Sequence, residues 1–482
     1  MKPILLIHGY SSEGKDNKVE DIYGTLPDFL KKEFGEENIE SINLSRWISL
    51  NDGVRLDDIS FAMERALNSD QYRSLLSGGF HVIIHSTGAL VVRNWIRKYS
   101  AKPSPIINLI HLAGANFGSG LAHIGQGRLS RWGRYLFGGT GVGKHILQAL
   151  EFGSAETLNL QTHFLTSDND IYEDYQVQEF CIIGSQTLSF LRQVPIRYVK
   201  EDSSDNTVRT SAGNLNFNYI LISPTKTADD LTVKKLNELI EKRKNNETFK
   251  EENYQYDLTG LSENRQPIPF TIAYETAHFG DDIGIVTGKS NRSAVIPLVI
   301  KALKTAQDKI AYTKMVQFFE QNTSKTFQRV TKLKGNITDW DKQAQYEAHA
   351  QLIFRLTDQY GRPVEEYDIT FKSKNKKMNR LESMIEDDHV NEQNPANKTL
   401  YLRTQQYDSK SKTWINLMDN ISPLNMEVTG VEAHSKDIAY VPVNISLSSK
   451  QLQQVVQNFT TTIVDIQLIR LPSSNVFTIK QI

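Results

Sequence analysis

A serine between a predicted strand and a predicted helix is the first residue here that could do chemistry. The stretch HVIIHSTGAL, residues 81–90, runs from a strand-like apolar segment into Ser86 and then into a helix-like segment. At such a turn the hydroxyl is exposed, and the next backbone N–H points to where an oxyanion develops. Ile84 occupies the position that usually holds glycine, which weakens the match without removing it. The competing interpretation is that Ser86 only caps the helix.

A serine nucleophile needs a base, and the base needs an orienting acid. His278 lies in IAYETAHFGDDIGIV after a predicted strand, and Asp205 lies in the polar turn of VKEDSSDNTVR, with Asp202 as the alternative acid. Taken alone, a lone histidine is usually structural and such aspartates are usually solvated turn residues. The chain order of serine, acid and histidine nevertheless favours a catalytic triad of Ser86, Asp205 and His278.

Two backbone N–H groups are candidates for stabilising the oxyanion. Thr87 directly follows the serine, and Tyr10 follows the first predicted strand in LLIHGY, where Gly9 permits a tight turn. In the alternative interpretation, the segment around Tyr10 is an ordinary strand-to-helix turn. The sequence predicts an oxyanion hole made by the N–H groups of Tyr10 and Thr87.

The elements that must position these residues alternate between strand and helix. Apolar runs such as PILLI, IESINL, FHVIIH, INLIHLAG, FCIIGS and NYILIS read as strands, with amphipathic segments between several of them. This pattern predicts a parallel α/β sheet. The catalytic domain is predicted over 1–324, with a cap or lid insertion at about 115–175 and a polar insertion at about 224–266. A long helix is predicted over about 291–322.

The pattern of apolar and polar residues changes after residue 324. Segments such as QLIFRLTDQYGRPVEEYDITF and TTIVDIQLIRL alternate between apolar and polar residues and are separated by polar turns. Short alternating strands of this kind predict a smaller β-sandwich-like domain over 325–482. That domain could dock on a membrane or on a protein partner, and it could equally be a passive appendage.

Composition excludes several classes of protein. The 482 residues include 39% hydrophobic and 23% charged residues, and the formal net charge is −1, so nothing favours a nucleic-acid partner held by bulk charge. The single cysteine, Cys181, lies in an apolar strand-like run and excludes an internal disulfide framework. Histidines and carboxylates show no metal-ligand spacing, so no metal or organic cofactor is expected. The short apolar run in MKPILLIHGY predicts a cytoplasmic protein, although a specialised secretion system would leave no such signature.

These motifs together resemble the α/β-hydrolase superfamily, in its lipase and esterase branch. The resemblance rests on His8-Gly9-Tyr10, His85-Ser86-Thr87-Gly88, Asp205-Asn206-Thr207-Val208 and His278, and it covers residues 1–310. It implies a serine hydrolase that works through an acyl-enzyme. Ile84 and the large insertions depart from the family pattern. The second predicted domain resembles no family that the sequence identifies.

The composition of the first insertion indicates a class of substrate. Residues 127–139, GRLSRWGRYLFGG, place Trp132, Tyr135 and Phe137 among arginines, a composition that suits a lipid–water interface. The resemblance implies a lid over an acyl pocket; the alternative is a cap helix packed on the core. Esters of lipids are the predicted substrates, and the arginines favour phospholipids over neutral fats.

Other classes of function remain open. A small soluble ester or an amide would need the same catalytic residues, a secreted antibacterial phospholipase would keep the lipid substrate, and a catalytically dead relative would only bind partners. The run GGTGVGKH (138–145) matches most of a P-loop, but His145 stands where that motif needs serine or threonine. Nucleotide binding is therefore not predicted, and these glycines suit a hinge for the lid.

Overall fold

The computed structural model describes residues 1–8, 18–49, 51–124, 143–188, 201–225, 238, 256–259, 265–333 and 340–472. The chain divides into two compact units. The first comprises residues 1–216, 265–348 and 407–414, and the second comprises residues 217–264, 349–406 and 415–482.

A six-stranded sheet forms the centre of the first unit. Its strands are β1 (Ile4–His8), β2 (Ile39–Asn43), β3 (Phe80–His85), β4 (Ile106–Leu112), β5 (Gln178–Ile183) and β8 (Phe270–Ile272). They lie in the order β2-β1-β3-β4-β5-β8, and every neighbouring pair is parallel. β1, β3, β4 and β5 are rich in Ile, Leu and Val and are almost completely buried, as expected when both faces of a parallel sheet are covered, whereas residues 39–41 of the edge strand β2 are half-buried.

The described helices of this unit lie between these strands along the chain and after the last of them. They are α1 (Val19–Tyr23), α2 (Leu26–Phe34), α3 (Leu56–Leu67), α4 (Arg73–Gly78), α5 (Gly88–Tyr99), α6 (Gly120–Ile124), α7 (Lys144–Leu150), α8 (Ala155–His163), α9 (Thr210–Gly213), α10 (Arg292–Leu303), α11 (Lys309–Thr331) and α12 (Trp340–Gln345). The helix α5 directly follows β3 and is buried from Gly88 to Ile96, which fixes the position of the turn between them. None of the described helices is long and apolar enough to cross a bilayer.

The described part of the second unit consists mainly of β-strands and includes the short helix α13 (Ser449–Val455). The strands are β6 (Asn218–Pro224), β7 (Tyr256–Thr259), β9 (His349–Asp358), β10 (Glu366–Ser373), β11 (Ile385–Val390), β12 (Asn397–Arg403), β15 (Leu424–Val431), β16 (Ile438–Tyr440), β17 (Val443–Leu447), β18 (Thr461–Leu468) and β19 (Arg470–Pro472). A mixed sheet has the order β11-β12-β9-β18-β6-β7, and an antiparallel sheet has the order β10-β15-β17. Apolar side chains of both sheets share one core, as in a β-sandwich.

The structure confirms the predicted fold class, because an α/β unit with a parallel sheet is joined by a smaller β-rich unit. It differs in where the chain changes unit. NYILIS forms β6, which pairs with β18 in the mixed sheet and not with the parallel sheet. Residues 217–264, including most of the predicted polar insertion at 224–266, therefore belong to the second unit. A strand whose partner lies far along the chain cannot be assigned to a sheet from its own pattern.

Two further boundaries differ from the prediction. The first unit continues past residue 324 to residue 348, because α11 and α12 belong to it, and it also includes residues 407–414 of the hairpin formed by β13 (Gln405–Asp408) and β14 (Thr413–Asn416). The single helix predicted over 291–322 is two helices, α10 and α11. Asp308 separates them, because its side chain accepts a hydrogen bond from the Ala311 N–H at 2.8 Å and caps the second helix.

Candidate active site

Ser86 lies at the strained turn between β3 and α5. Its backbone φ is 55°, in the left-handed region that residues other than glycine rarely adopt. The turn is held by hydrogen bonds, since the Ser86 N–H donates to the Leu112 carbonyl and the Ala115 N–H donates to the Ser86 carbonyl, both at 3.2 Å. Strain that the surroundings enforce in this way is typical of functional positions.

The structure brings Ser86, His278 and Asp205 together. His278 Nε2 lies 3.0 Å from Ser86 Oγ, and His278 Nδ1 lies 2.9 Å from Asp205 Oδ2. His278 is 2% exposed and Asp205 is fully buried. Because an ionised carboxylate can only accept, Nδ1 carries the imidazole proton and Nε2 accepts from the serine hydroxyl. The half-buried Asp202, the alternative acid, is not the carboxylate that meets His278.

A tight turn fixes the carboxylate of Asp205. Its Oδ1 accepts hydrogen bonds from the N–H groups of Thr207 at 3.1 Å and Val208 at 2.8 Å, which leaves Oδ2 directed at the imidazole. Asn206 has a φ of 74°, a conformation that asparagine tolerates better than most residues. The His278 N–H also donates to the Asp205 carbonyl at 2.9 Å, so backbone and side chain are positioned together.

A close approach of two loops positions the segment that carries His278. A Cβ atom at Gly184, just after β5, would lie 1.9 Å from the Thr276 carbonyl oxygen, so only glycine permits this contact. The Gln186 N–H donates to the same carbonyl at 3.1 Å. The Ala277 N–H donates to the Ile283 carbonyl at 2.8 Å and closes the loop around His278.

His85 contacts His278 from the strand side, a role the sequence analysis did not assign. Its Nε2 lies 3.2 Å from the His278 carbonyl oxygen, and the two ring centroids are 4.6 Å apart. A carbonyl only accepts, so Nε2 carries the proton. Burial and the nearby His278 hold the pKa of His85 well below its ordinary value, which keeps the ring uncharged. His85 is thus a positioning residue for the backbone and ring of His278.

A buried ion pair connects α5 to the sheet beneath the turn. The Arg93 guanidinium contacts the Glu179 carboxylate on β5, and His111 Nε2 on β4 lies 3.1 Å from the same carboxylate. Burial alone would raise the pKa of Glu179, but the Arg93 charge and the His111 hydrogen bond lower it to about 2. The charged pair therefore fixes the helix that follows Ser86 against the central strands.

Of the predicted oxyanion-hole and lid residues, the structure describes only Thr87. Thr87 is buried at the start of α5, where its N–H adjoins the serine in sequence. Tyr10 and the lid residues Trp132, Tyr135 and Phe137 lie outside the described residues. Within the described ranges, no cluster of three or more His, Cys, Asp or Glu side chains is arranged to hold a metal ion.

The geometry is suited to proton transfer from a hydroxyl. A serine at a strained turn, an imidazole acceptor within hydrogen-bond reach and a buried carboxylate behind it form one continuous hydrogen-bonded chain. Such a chain can remove the serine proton as the oxygen attacks an electrophilic carbon and can return that proton to a leaving group.

The chain is similar in structure to phospholipase PlaB from Legionella pneumophila. The match has a TM-score of 0.77 at 23% sequence identity and covers 100% of this chain and 96% of that chain. PlaB in complex with thio-NAD matches at 21% identity with the same TM-score and coverage. The Bacillus licheniformis lipase BlEst2 in mature form covers 45% of this chain at 15% identity, and its TM-score of 0.32 is too low to bear on the argument.

No protein-family model and no curated protein sequence matches the chain. The identity to PlaB is low, so the match establishes a shared fold and not a shared activity. That shared fold extends over the whole chain and includes both compact units.

Proposed function

We propose that the protein is a serine hydrolase that cleaves carboxylic esters of lipids, with phospholipids as the preferred class. The observation that carries this proposal is the hydrogen-bonded chain from Ser86 through His278 to Asp205, with Ser86 at a φ of 55°. The full-length structural likeness to a protein named as a phospholipase supports the choice of a lipid ester.

The reaction begins when Ser86 Oγ attacks the ester carbonyl and His278 Nε2 takes its proton. Asp205 accepts a hydrogen bond from Nδ1 and stabilises the imidazolium that forms. The negative charge on the carbonyl oxygen is bound by the backbone N–H of Thr87 and, as the sequence predicts, by that of Tyr10. His278 then donates its proton to the departing alcohol, and the acyl group remains on Ser86.

Water completes the cycle. His278 removes a proton from a water molecule as that water attacks the acyl-enzyme carbonyl, and the imidazolium returns the proton to Ser86 Oγ as the bond breaks. The products are a carboxylic acid and an alcohol, so the reaction needs no redox partner. For a phospholipid substrate these products are a fatty acid and a lysophospholipid.

One experiment distinguishes a phospholipid substrate from a small ester or amide. Wild type and Ser86→Ala proteins are incubated with vesicles of mixed phospholipid and triglyceride, with products measured by lipid mass spectrometry, and in parallel with p-nitrophenyl acetate. We expect free fatty acid and lysophospholipid from the wild type and neither product from Ser86→Ala. Hydrolysis of p-nitrophenyl acetate without a lipid product would move the substrate to a small ester or amide. Absence of both reactions would overturn the enzymatic proposal.

A further inference from the structure

The first unit contains a cavity of about 570 Å³ beside the parallel sheet. Small-molecule sites commonly have volumes of about 300–1,000 Å³. The cavity runs along β2, the edge strand, and reaches His8 at the carboxyl end of β1. Ligands of open parallel sheets bind at the carboxyl ends of the strands.

The inner end of this cavity lies one strand away from Ser86. Leu6 on β1 pairs with Ile83 on β3, and continuing this register places His8 level with His85, the residue before Ser86. Neighbouring strands are about 4.8 Å apart. A group bound against His8 would therefore lie about one strand spacing from the end of β3 that precedes Ser86.

Charges of both signs line the cavity. Lys18 and Arg46 are cationic, and Glu20 and Glu40 are anionic, so the formal charges of this set cancel. Two of these charges shift the pKa of the neighbouring His8. Burial and then the Arg46 charge lower the pKa of His8, while the charges of Asp21 and Glu20 oppose that shift.

Two aromatic side chains, Trp47 and Tyr72, also line the cavity. The Tyr72 hydroxyl donates a hydrogen bond to the Ser41 carbonyl at 2.7 Å, so this ring meets β2 beside the residue that follows Glu40. A carboxylate beside aromatic rings is the environment that binds substituted ammonium groups, through charge attraction and cation–π contact.

His8 presents a buried atom that has no hydrogen-bond partner in the described part of the chain. Its side chain is 2% exposed, and Nδ1 forms no hydrogen bond with any residue that the structure describes. Burial, followed by the Arg46 charge, lowers the pKa of His8 to about 4, so the ring is neutral near pH 7. Buried polar atoms are nearly always paired, so an unpaired one that lines a cavity points to a ligand.

We propose that this cavity binds the zwitterionic headgroup of a phospholipid whose ester carbonyl lies at Ser86. Lys18 and Arg46 bind the phosphate, His8 hydrogen-bonds to it, and Glu20 and Glu40 bind the ammonium group. A headgroup that has a phosphate and no ammonium leaves both carboxylates facing a net negative ligand, which is unfavourable. The inference rests on the proposed function for the identity of the ester and adds a preference for zwitterionic over anionic lipids.

The test measures binding and therefore does not depend on turnover. Ser86→Ala protein is titrated by calorimetry with soluble short-chain phosphatidylcholine and with phosphatidylglycerol of the same chain length. We expect tighter binding of phosphatidylcholine. Adding Glu40→Gln should weaken phosphatidylcholine binding by about tenfold, because a charge-assisted contact is lost, while phosphatidylglycerol binding is unchanged or tighter.

Two more variants make the result specific. Glu20→Gln changes an exposed helix residue and should shift the lipid preference in the same direction without disturbing the fold. Glu37→Gln, an exposed acid outside the cavity, should change neither affinity. Equal affinity for the two lipids, no binding of either, or equal losses for both in Glu40→Gln and Glu20→Gln would overturn the headgroup proposal. Lipid binding by Ser86→Ala beside a wild type that hydrolyses no ester would instead refute the proposed function alone.

Discussion

One buried histidine–carboxylate pair from each unit, His278–Asp205 and His349–Glu386, has the same hydrogen-bond length. His278 Nδ1 lies 2.9 Å from Asp205 in the first unit, and His349 Nε2 lies 2.9 Å from Glu386 in the second. Both imidazoles are buried. A buried histidine–carboxylate pair alone therefore does not distinguish the two regions.

The surroundings of the two pairs differ. His278 Nε2 faces Ser86 Oγ at 3.0 Å, on a strained turn. The His349 ring stacks on Tyr401 with centroids 4.5 Å apart, and Glu386 also contacts Arg403. Burial raises the pKa of Glu386, but contacts with His349 and Arg403 outweigh burial and lower it. The second pair is a structural ion network. The serine and its strained turn, and not the histidine–carboxylate pair alone, therefore distinguish the candidate active site.

The largest expected effect comes from changing the two carboxylates in the same way. Asp205→Asn should lower kcat for ester hydrolysis by about 10⁴-fold, because the amide favours the wrong imidazole tautomer. Glu386→Gln should leave the activity of the folded protein unchanged. Both variants are assayed on p-nitrophenyl butyrate, with circular dichroism to establish that each is folded. Equal losses in the two variants would remove the distinction between the two pairs.

A smaller effect is expected from His85, whose side chain positions His278. His85→Leu removes the hydrogen bond to the His278 carbonyl and should reduce kcat by about 10²-fold, with little change in KM. His85→Gln retains an N–H donor and should recover most of that loss. Steady-state kinetics over a pH series would show this rescue. If leucine and glutamine were equally harmful, packing and not the hydrogen bond would explain the effect.

The smallest expected effect is on the free energy of unfolding and comes from His81, a buried histidine outside both pairs. Burial, aided by the N-terminal charge, lowers the pKa of His81 to about 4, whereas an unfolded histidine has a pKa of about 6.5. Between these values the unfolded chain binds more protons, so the free energy of unfolding falls as pH decreases from 6.5 towards 4.

Urea titrations at several pH values would measure this dependence. His81→Gln should make the free energy of unfolding less sensitive to pH in that window, whereas His434→Gln, at an exposed position, should leave the slope unchanged. A slope that is the same in wild type and His81→Gln would contradict the assignment of this proton linkage to His81.

The sequence predicted the parts of the fold that depend on local pattern. Continuous apolar strands predicted the buried parallel sheet, and the order of Ser86, Asp205 and His278 predicted three side chains that the structure places in hydrogen-bond contact. Such predictions succeed because strand periodicity and turn chemistry are properties of a few neighbouring residues.

The features that the sequence did not predict depend on residues that are far apart along the chain. The pattern of β6 is that of a strand in either sheet, and only its pairing with β18, more than half the chain away, assigns it to the second unit. The role of His85 requires knowing that a loop from residue 278 folds back onto the end of β3. Neither relationship is encoded in local spacing, so neither could be read from one sequence.

The most direct test of the central claim is covalent labelling of the nucleophile. Wild type, Ser86→Ala and His278→Ala proteins are treated with a fluorophosphonate probe, digested, and mapped by mass spectrometry. The account predicts a single adduct on Ser86 in the wild type, no adduct in Ser86→Ala and strongly slowed labelling in His278→Ala. Undiminished labelling of Ser86→Ala, or an adduct on another residue of the wild type, would contradict the claim that Ser86 is the activated nucleophile.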